Sequence, residues 1–113
     1  MVATGYVIQG EYDRIRGYDN AQDVAGKYLK QNLTTEEIDA TWIIATSRFE
    51  ATNVAIWADS PTIKYDLFVP GGVLDDSLTP EGSKYILATG NLSYAGEAIE
   101  TITGDGYILY KLK

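Results

Sequence analysis

Three arginines carry the clearest chemistry in this chain, which is the binding of an anion. Arg14 and Arg16 lie two residues apart near the N-terminus, and Arg48 follows a long apolar run. A guanidinium group presents its N–H donors in a planar fork that matches a carboxylate or a phosphate. The sequence therefore predicts these three side chains as candidate ligand-binding residues. Ion pairing with neighbouring carboxylates is the alternative for each of them.

Two tryptophans flank Arg48 in the sequence and extend this hypothesis. Trp42 precedes Arg48, and Trp57 follows it. If a helix packs on a sheet here, both rings would line the pocket between them, with Arg48 at one end. Such a pocket would suit a small anionic ligand. A carboxylate desolvated there would acquire a pKa that is useful for general acid–base catalysis.

An acidic segment, residues 74–82, is predicted to be a long loop because turn-forming residues dominate it. Leu74 and Leu78 stand among the carboxylates of Asp75, Asp76 and Glu81. An acidic loop with apolar anchors suits a basic protein surface, because charge accelerates encounter and apolar contacts hold the complex. A connector that binds nothing is the alternative. The carboxylates lack the spacing of an EF-hand, so we expect no metal site.

The absence of two residue types restricts the chemistry further. The chain contains no histidine and no cysteine. Disulfides, thiolate metal sites and Ser-His-Asp triads are therefore excluded, and so is the usual general base. Catalysis would have to rely on Asp, Glu, Lys, Tyr or Arg. We assign no catalytic residue and expect no cofactor.

Charge and length set the class of protein. Nine basic residues against sixteen acidic ones give a net charge of -7, which argues against binding to a nucleic-acid backbone or to an anionic membrane. No apolar run reaches the roughly 18 residues that suggest a transmembrane helix. The N-terminal residues lack a signal-peptide pattern, so we expect a cytoplasmic protein. The 113 residues predict one domain, residues 1–113.

The core is predicted to lie in residues 40–69, which hold both tryptophans and both phenylalanines. Residues 40–49 are apolar on both faces and predict a central strand covered on both sides. A buried helix is the alternative, since residues 34–37 read as a capping box. A short helical turn at residues 35–39 is compatible with either. Residues 52–58 and 63–69 predict two further strands, joined by a turn.

One amphipathic helix is predicted at about residues 20–32. Apolar residues recur there with helical spacing, at Ala21, Val24, Ala25, Tyr28 and Leu29. Polar residues, Asp23 among them, fall on the predicted water side. Gly26 in the middle costs about 1 kcal/mol relative to Ala, so the helix requires tertiary support.

The remaining strands are predicted at residues 2–13, 83–89, 92–103 and 107–112, with a hairpin loop at residues 104–106. The fold class is therefore α+β. We expect a curled, mostly antiparallel sheet or a small barrel of six to seven strands, with one main helix. The strand at residues 107–112 is apolar. We expect the strand at residues 2–13, or a second copy of the chain, to cover it.

The nine tyrosines contribute a second candidate surface, because tyrosine is common at interfaces. Tyr107 and Tyr110 are the candidates in the last strand, and half-buried packing positions are the alternative.

The whole sequence favours a non-catalytic protein-binding or assembly module: an inhibitor, an adaptor or a structural subunit. It would bind a protein partner or itself through an acidic, Tyr-rich surface. The alternatives are a small cofactor-independent enzyme, of the isomerase or cyclase type, and a binder of a small anionic ligand.

Overall fold

A computed structural model describes residues 21–89, 92–104 and 106–113. The predicted strand at residues 2–13 and the candidates Arg14 and Arg16 lie outside these residues. The described helices are α1 (Ala21–Asn32), α2 (Thr35–Asp39) and α3 (Arg48–Ala58), with a 3-10 turn at Asp76–Leu78. The described strands are β1 (Thr41–Ala45), β2 (Lys64–Leu67), β3 (Val73–Leu74), β4 (Tyr85–Thr89), β5 (Ser93–Tyr94), β6 (Ala98–Gly104) and β7 (Tyr107–Leu112).

The main sheet has five strands in the order β2-β1-β4-β7-β6, and β3 pairs with β5 in a separate small sheet. β1 is parallel to both β2 and β4, whereas β7 is antiparallel to β4 and β6. The predicted α+β class is confirmed. The described sheet is open, with β2 and β6 at its edges, so the barrel alternative is wrong. The sheet is also mixed rather than mostly antiparallel.

The largest correction concerns residues 52–58, which belong to helix α3 and not to a strand. Ser47 caps this helix, since its hydroxyl accepts a 3.2 Å hydrogen bond from the backbone N–H of Glu50. Buried residues recur with helical spacing at Ala51, Val54 and Ala58. Asp59 then adopts a left-handed conformation, with φ of 56°, and ends the helix. The interposed helix explains why β1 and β2 are parallel, since parallel neighbours require a long crossover connection.

The predicted amphipathic helix is confirmed as α1, and Ala25 and Leu29 are fully buried on it. Gly26 allows α1 to approach α3 closely, because a Cβ at this position would lie 2.5 Å from the Cβ of Trp57. The placement of Asp23 on the water side is wrong. Its carboxylate is buried and accepts a 2.8 Å hydrogen bond from the Asn53 amide.

The predicted central strand is confirmed for residues 41–45, which form β1 and are all buried. The predicted end at residue 49 is wrong, because Arg48 and Phe49 already belong to α3. Its odd-numbered side faces the helices together with β4 and β7, and Ile43, Leu87 and Leu109 lie in that cluster. Its even-numbered side carries Trp42 and Ile44 into a second cluster, beneath β3 and β5. The sheet is therefore packed on both faces.

The C-terminal hairpin forms as predicted, with Gly104 paired to Tyr107. However, β6 covers one side of β7 and β4 covers the other, so β7 is an interior strand. The premise that β7 is an edge in need of a cover is therefore wrong, and the strand at residues 2–13 that was expected to cover it lies outside the described residues.

Candidate functional site

An open groove of about 490 Å³ separates α3 from the start of β2. Its residues come from three consecutive parts of the chain. They are Ala51, Thr52, Ala55 and Ile56 of α3, Asp59, Ser60 and Pro61 of the connection, and Ile63 and Tyr65 at β2. Two alanines on the flank of the helix leave room that larger side chains would fill. The lining is mainly apolar.

Exposed apolar side chains lie on both elements that form this groove, and two of them, Ile56 and Tyr65, line it. On α3, Phe49 and Ile56 are 60% and 63% exposed, and on β2, Tyr65 and Leu67 are 39% and 49% exposed. Ala45 at the end of β1 pairs with Leu67, which places Leu67 at the end of the sheet where α3 begins. The two pairs together form one surface, which we call the α3–β2 face: Phe49, Ile56, Tyr65 and Leu67 around the groove. Contiguous apolar surface of this kind marks interaction sites.

The backbone of β2 adds hydrogen-bonding capacity to this face. The N–H of Phe68 donates to the carbonyl of Ala45, so the even-numbered residues of β2 turn their backbone groups toward β1. Successive residues of a strand point in opposite directions. Tyr65 and Leu67 therefore turn their N–H and C=O groups outward, where the described part of the chain provides no neighbouring strand.

The opposite side of β2 is polar and is fixed by one hydrogen bond. The indole Nε1 of Trp42 donates a 2.7 Å hydrogen bond to Oδ2 of Asp66. Lys64 is exposed on the same side of the strand, two residues before Asp66. β2 thus carries a positive and a negative charge on one side and apolar residues on the other.

Of the predicted anion-binding residues, the structure describes Trp42, Trp57 and Arg48. Trp42 is buried in the cluster on the far side of the sheet from the helices. Trp57 lies on α3, where the Lys27 ammonium is 4.8 Å from the centre of its ring. Arg48 is exposed at the start of α3 and does not line the groove. The structure brings none of these three residues together.

The acidic segment forms local structure of its own. Asp75 caps the 3-10 turn by accepting from the N–H of Ser77, and Asp76 accepts from the Tyr94 hydroxyl. Leu78 is 53% exposed and Glu81 is exposed, as predicted for a partner surface. Leu74, however, is fully buried, which corrects its assignment as an exposed anchor.

Tyr107 and Tyr110 are also buried, so they do not form a surface. Tyr107 lies in the cluster beneath the helices, and Tyr110 lies in the cluster on the other side of the sheet. The Tyr110 ring packs 5.4 Å from the ring of Tyr94, and burial raises the pKa of the Tyr110 hydroxyl. Both tyrosines are packed in an interior strand, which agrees with the packing alternative, although they are buried and not half-buried.

A carboxylate closes the end of the sheet where β1 and β4 terminate. Oε2 of Glu50 accepts hydrogen bonds from the N–H and the hydroxyl of Thr46, at 3.0 and 2.8 Å, and from the Thr89 hydroxyl at 3.1 Å. The carboxyl ends of parallel strands often bind ligands. Here the acceptor is already used by three protein donors, so its role is to hold α3 against two strands.

A second carboxylate, Glu37, is shared between a helix cap and the sheet. Oε1 accepts from the N–H of Thr34 at 2.9 Å, and Oε2 accepts from the Tyr85 hydroxyl at 2.8 Å. The backbone bond from Thr34 and then the Tyr85 bond lower the pKa of Glu37. The same contact with Glu37, followed by burial, raises the pKa of Tyr85 to about 12.

Sequence reasoning missed the groove because it missed α3. A signal was present: Ser47 followed three residues later by Glu50 is the pattern of a helix start. A helix that starts at this pattern places Phe49 and Ile56 on one face, because they are seven residues apart.

The chain matches no known protein family, and neither curated proteins nor solved structures include one that is similar to it. The described residues contain no helix with the length and apolar character needed to cross a membrane. They also contain no group of three acidic side chains placed to hold a metal ion.

Proposed function

We propose that this chain is a non-catalytic protein-binding and assembly module, and that the α3–β2 face is its contact surface. The observation that carries the proposal is the combination on this face of four exposed apolar side chains with the outward backbone groups of β2. Its role as an inhibitor, an adaptor or a structural subunit depends on the partner. Its cytoplasmic location stays a prediction.

The physical argument begins with the edge strand. An exposed strand edge is a template for pairing, and proteins usually protect it with charge, bulges or a covering segment. The charges of Lys64 and Asp66 lie on one side of β2, and its other side is apolar. An added strand would satisfy the outward backbone groups of Tyr65 and Leu67. Its side chains would then enter the groove beside α3.

The chemistry of the groove favours an apolar side chain over a reacting substrate. Asp59 is the one charged residue among the described residues of the lining, and its carboxylate lies 3.8 Å from the Lys30 ammonium. Arg48 and Glu50 lie outside the lining, and Glu50 is bonded to Thr46 and Thr89. A partner whose strand alternates apolar and polar residues would match both sides of β2.

Site-specific photo-crosslinking tests this proposal in cells that produce the full chain. A p-benzoylphenylalanine residue replaces Ile56 in the groove or, as the matched control, Ile99. Ile99 is equally exposed but lies on β6, at the other edge of the sheet. We expect protein adducts from position 56 and few from position 99. Adducts from position 99 alone, or from neither position, would contradict the proposal.

A small-molecule site in the same groove is the second candidate, because about 490 Å³ lies within the usual size of ligand pockets, roughly 300–1,000 Å³. Native mass spectrometry of the purified chain distinguishes it. A bound small molecule that is lost when Ala55→Trp fills the groove would support the ligand site. A mass equal to that of the bare chain would remove it.

A further inference from the structure

We infer that the partner bound at the α3–β2 face is a second copy of this chain, paired through β2 about a two-fold axis at Tyr65. The inference rests on the proposed function, since it assigns an occupant to the surface proposed there. It would extend the five-stranded sheet across two copies.

Backbone geometry limits how two copies of β2 can pair. An antiparallel neighbour must oppose its outward-facing residues to those of β2, because only these turn their N–H and C=O groups away from β1 and have no strand partner among the described residues. The outward-facing residues are Tyr65 and Leu67. Symmetric pairing therefore requires a register in which odd-numbered residues oppose odd-numbered residues. A two-fold axis that passes through one residue position of β2 meets this condition.

The charges then select one of these registers. A centre at Lys64 sets two ammonium groups against each other, and a centre at Asp66 does the same with two carboxylates. A centre at Leu67 leaves Lys64, Tyr65 and Asp66 without a partner in the β2 strand of the other copy. A centre at Tyr65 opposes Lys64 of each copy to Asp66 of the other, which forms two cross-strand ion pairs. Opposite charges directly across a strand pair are favourable, and like charges are unfavourable.

The apolar side of the strand is complementary in the same register. Tyr65 would oppose its own copy, and Leu67 would oppose Ile63. The Tyr65 and Leu67 side chains are exposed, and Ile63 already forms part of the groove. Ile56 stands across the groove from β2, so the second copy would also shield the α3 side of the face. A self-complementary patch of this kind is what a two-fold dimer requires.

Asp66 is suited to this pairing because its position is fixed in advance. The 2.7 Å hydrogen bond from Trp42 holds one carboxylate oxygen, Oδ2, and leaves Oδ1 available to an incoming ammonium group. Holding a group in its bound geometry lowers the entropic cost of association. The strand therefore presents a fixed acceptor and a long, adaptable donor, Lys64, two residues apart.

The test reverses the charges of Lys64 and Asp66 and measures dimerisation by analytical ultracentrifugation of the full chain over a wide concentration range. Lys64→Asp and Asp66→Lys each create two like-charge pairs in the proposed register, so each should weaken dimerisation about tenfold or more. Mixing the two variants restores both ion pairs. We expect heterodimers in the mixture at concentrations where each variant alone is monomeric. Ile99→Asp at the other edge is the control and should leave dimerisation unchanged.

Asp66→Lys also removes the Trp42 acceptor, so the thermal unfolding of each variant is measured. If Asp66→Lys does not fold, Asp66→Asn, which keeps an acceptor, should still weaken the dimer. A dimer that survives Lys64→Asp, or that is lost in Ile99→Asp, would overturn the inference. So would a strictly monomeric wild type. If position 56 then gave crosslinked adducts with the mass of a different protein, the proposed function would stand and only its self-association would fail.

Discussion

The hydroxyl of Tyr85 donates a 2.8 Å hydrogen bond to Oε2 of Glu37, whose other oxygen accepts from the N–H of Thr34. One carboxylate therefore completes the cap of α2 and ties that helix to β4, a central strand of the sheet. The two residues are far apart in the sequence, so this contact joins the helical connection to the core. The stabilisation that this contact provides should be lost both at low pH, where Glu37 becomes protonated, and at high pH, where Tyr85 becomes ionised.

At high pH we expect the contribution of the Tyr85 hydroxyl to the free energy of unfolding to disappear. Its pKa is raised from 10.0 to about 12 in the folded chain, first by the bond to Glu37. Because the neutral phenol is favoured by folding, the contribution is complete below pH 10 and is lost as the pH rises through 12. Tyr85→Phe should thus be less stable than wild type near neutrality, with the difference shrinking at alkaline pH. Urea unfolding at several pH values measures this. The exposed Tyr65→Phe serves as control, and an equal effect there would contradict the assignment.

At low pH the same contact should act through Glu37. Its pKa is lowered, first by the backbone bond from Thr34 and then by Tyr85. The contribution of Glu37 to the free energy of unfolding is therefore present above pH 4.5, the pKa of this carboxyl in the unfolded chain. It is lost as the pH falls through the lower pKa of the folded chain. Glu37→Gln should be destabilised near neutrality and should converge with wild type in acid. Circular dichroism during acid titration reports this. Glu36→Gln, an exposed neighbour, should show no such convergence.

Gly26→Ala should destabilise the chain even though alanine favours a helix by about 1 kcal/mol. The new Cβ would meet the Cβ of Trp57 at 2.5 Å and the carbonyl of Val54 at 2.8 Å. Separating α1 from α3 to relieve this contact typically costs about 1–3 kcal/mol, so the net effect is a loss. Thermal or urea unfolding measures it. Gln31→Ala at an exposed position of α1 should be neutral or slightly stabilising, and the same result for Gly26→Ala would show that the helices are not in close contact.

Glu50→Ala should cost about 1–3 kcal/mol, because it leaves the N–H and the hydroxyl of Thr46 without their acceptor and leaves the Thr89 hydroxyl only its 3.3 Å bond to the carbonyl of Ile44. Amide hydrogen exchange should show the loss at the ends of β1 and β4 and at the first turn of α3. Glu81→Ala, an exposed carboxylate, is the control. If the two variants are equally stable, Glu50 does not hold these elements together.

Sequence patterns predicted the elements whose signals are local. The apolar spacing of α1, the capping box of α2 and the doubly apolar β1 each depend on a few neighbouring residues, and all three are confirmed. The strand assigned to residues 52–58 failed because alanines make a helix and a strand look alike. Ala55 and Ala58 fit either period, and the cap at Ser47 decides between them.

Position within the sheet was not readable from the sequence. Leu74, Tyr107 and Tyr110 are apolar or amphipathic residues, which suit a surface as well as a core. Their burial depends on which strands pair with β3 and β7, and β5 and β4 reach these strands from more distant parts of the chain. The candidate surface was missed for the same reason, since β2 is an edge only because the chain returns past β1 to form β4.

The mixed order of the sheet also constrains how the chain folds. β6 and β7 are joined by a tight turn, and β-hairpins of this kind form in about 1–10 μs. β1 instead must find β4 across α3, β2 and the small-sheet strand β3, and non-local parallel pairing of this kind is slow because loop-closure entropy is lost first. The β6–β7 hairpin can therefore form early, but it joins β1 only after β4 has paired with both β1 and β7. Until then β1 lacks its neighbour β4 on one side, and the apolar side chains of Trp42, Ile43 and Ile44 are open to other chains. The yield of refolded protein should consequently fall as the protein concentration rises, because partly folded chains aggregate through these exposed side chains even when the native state is stable.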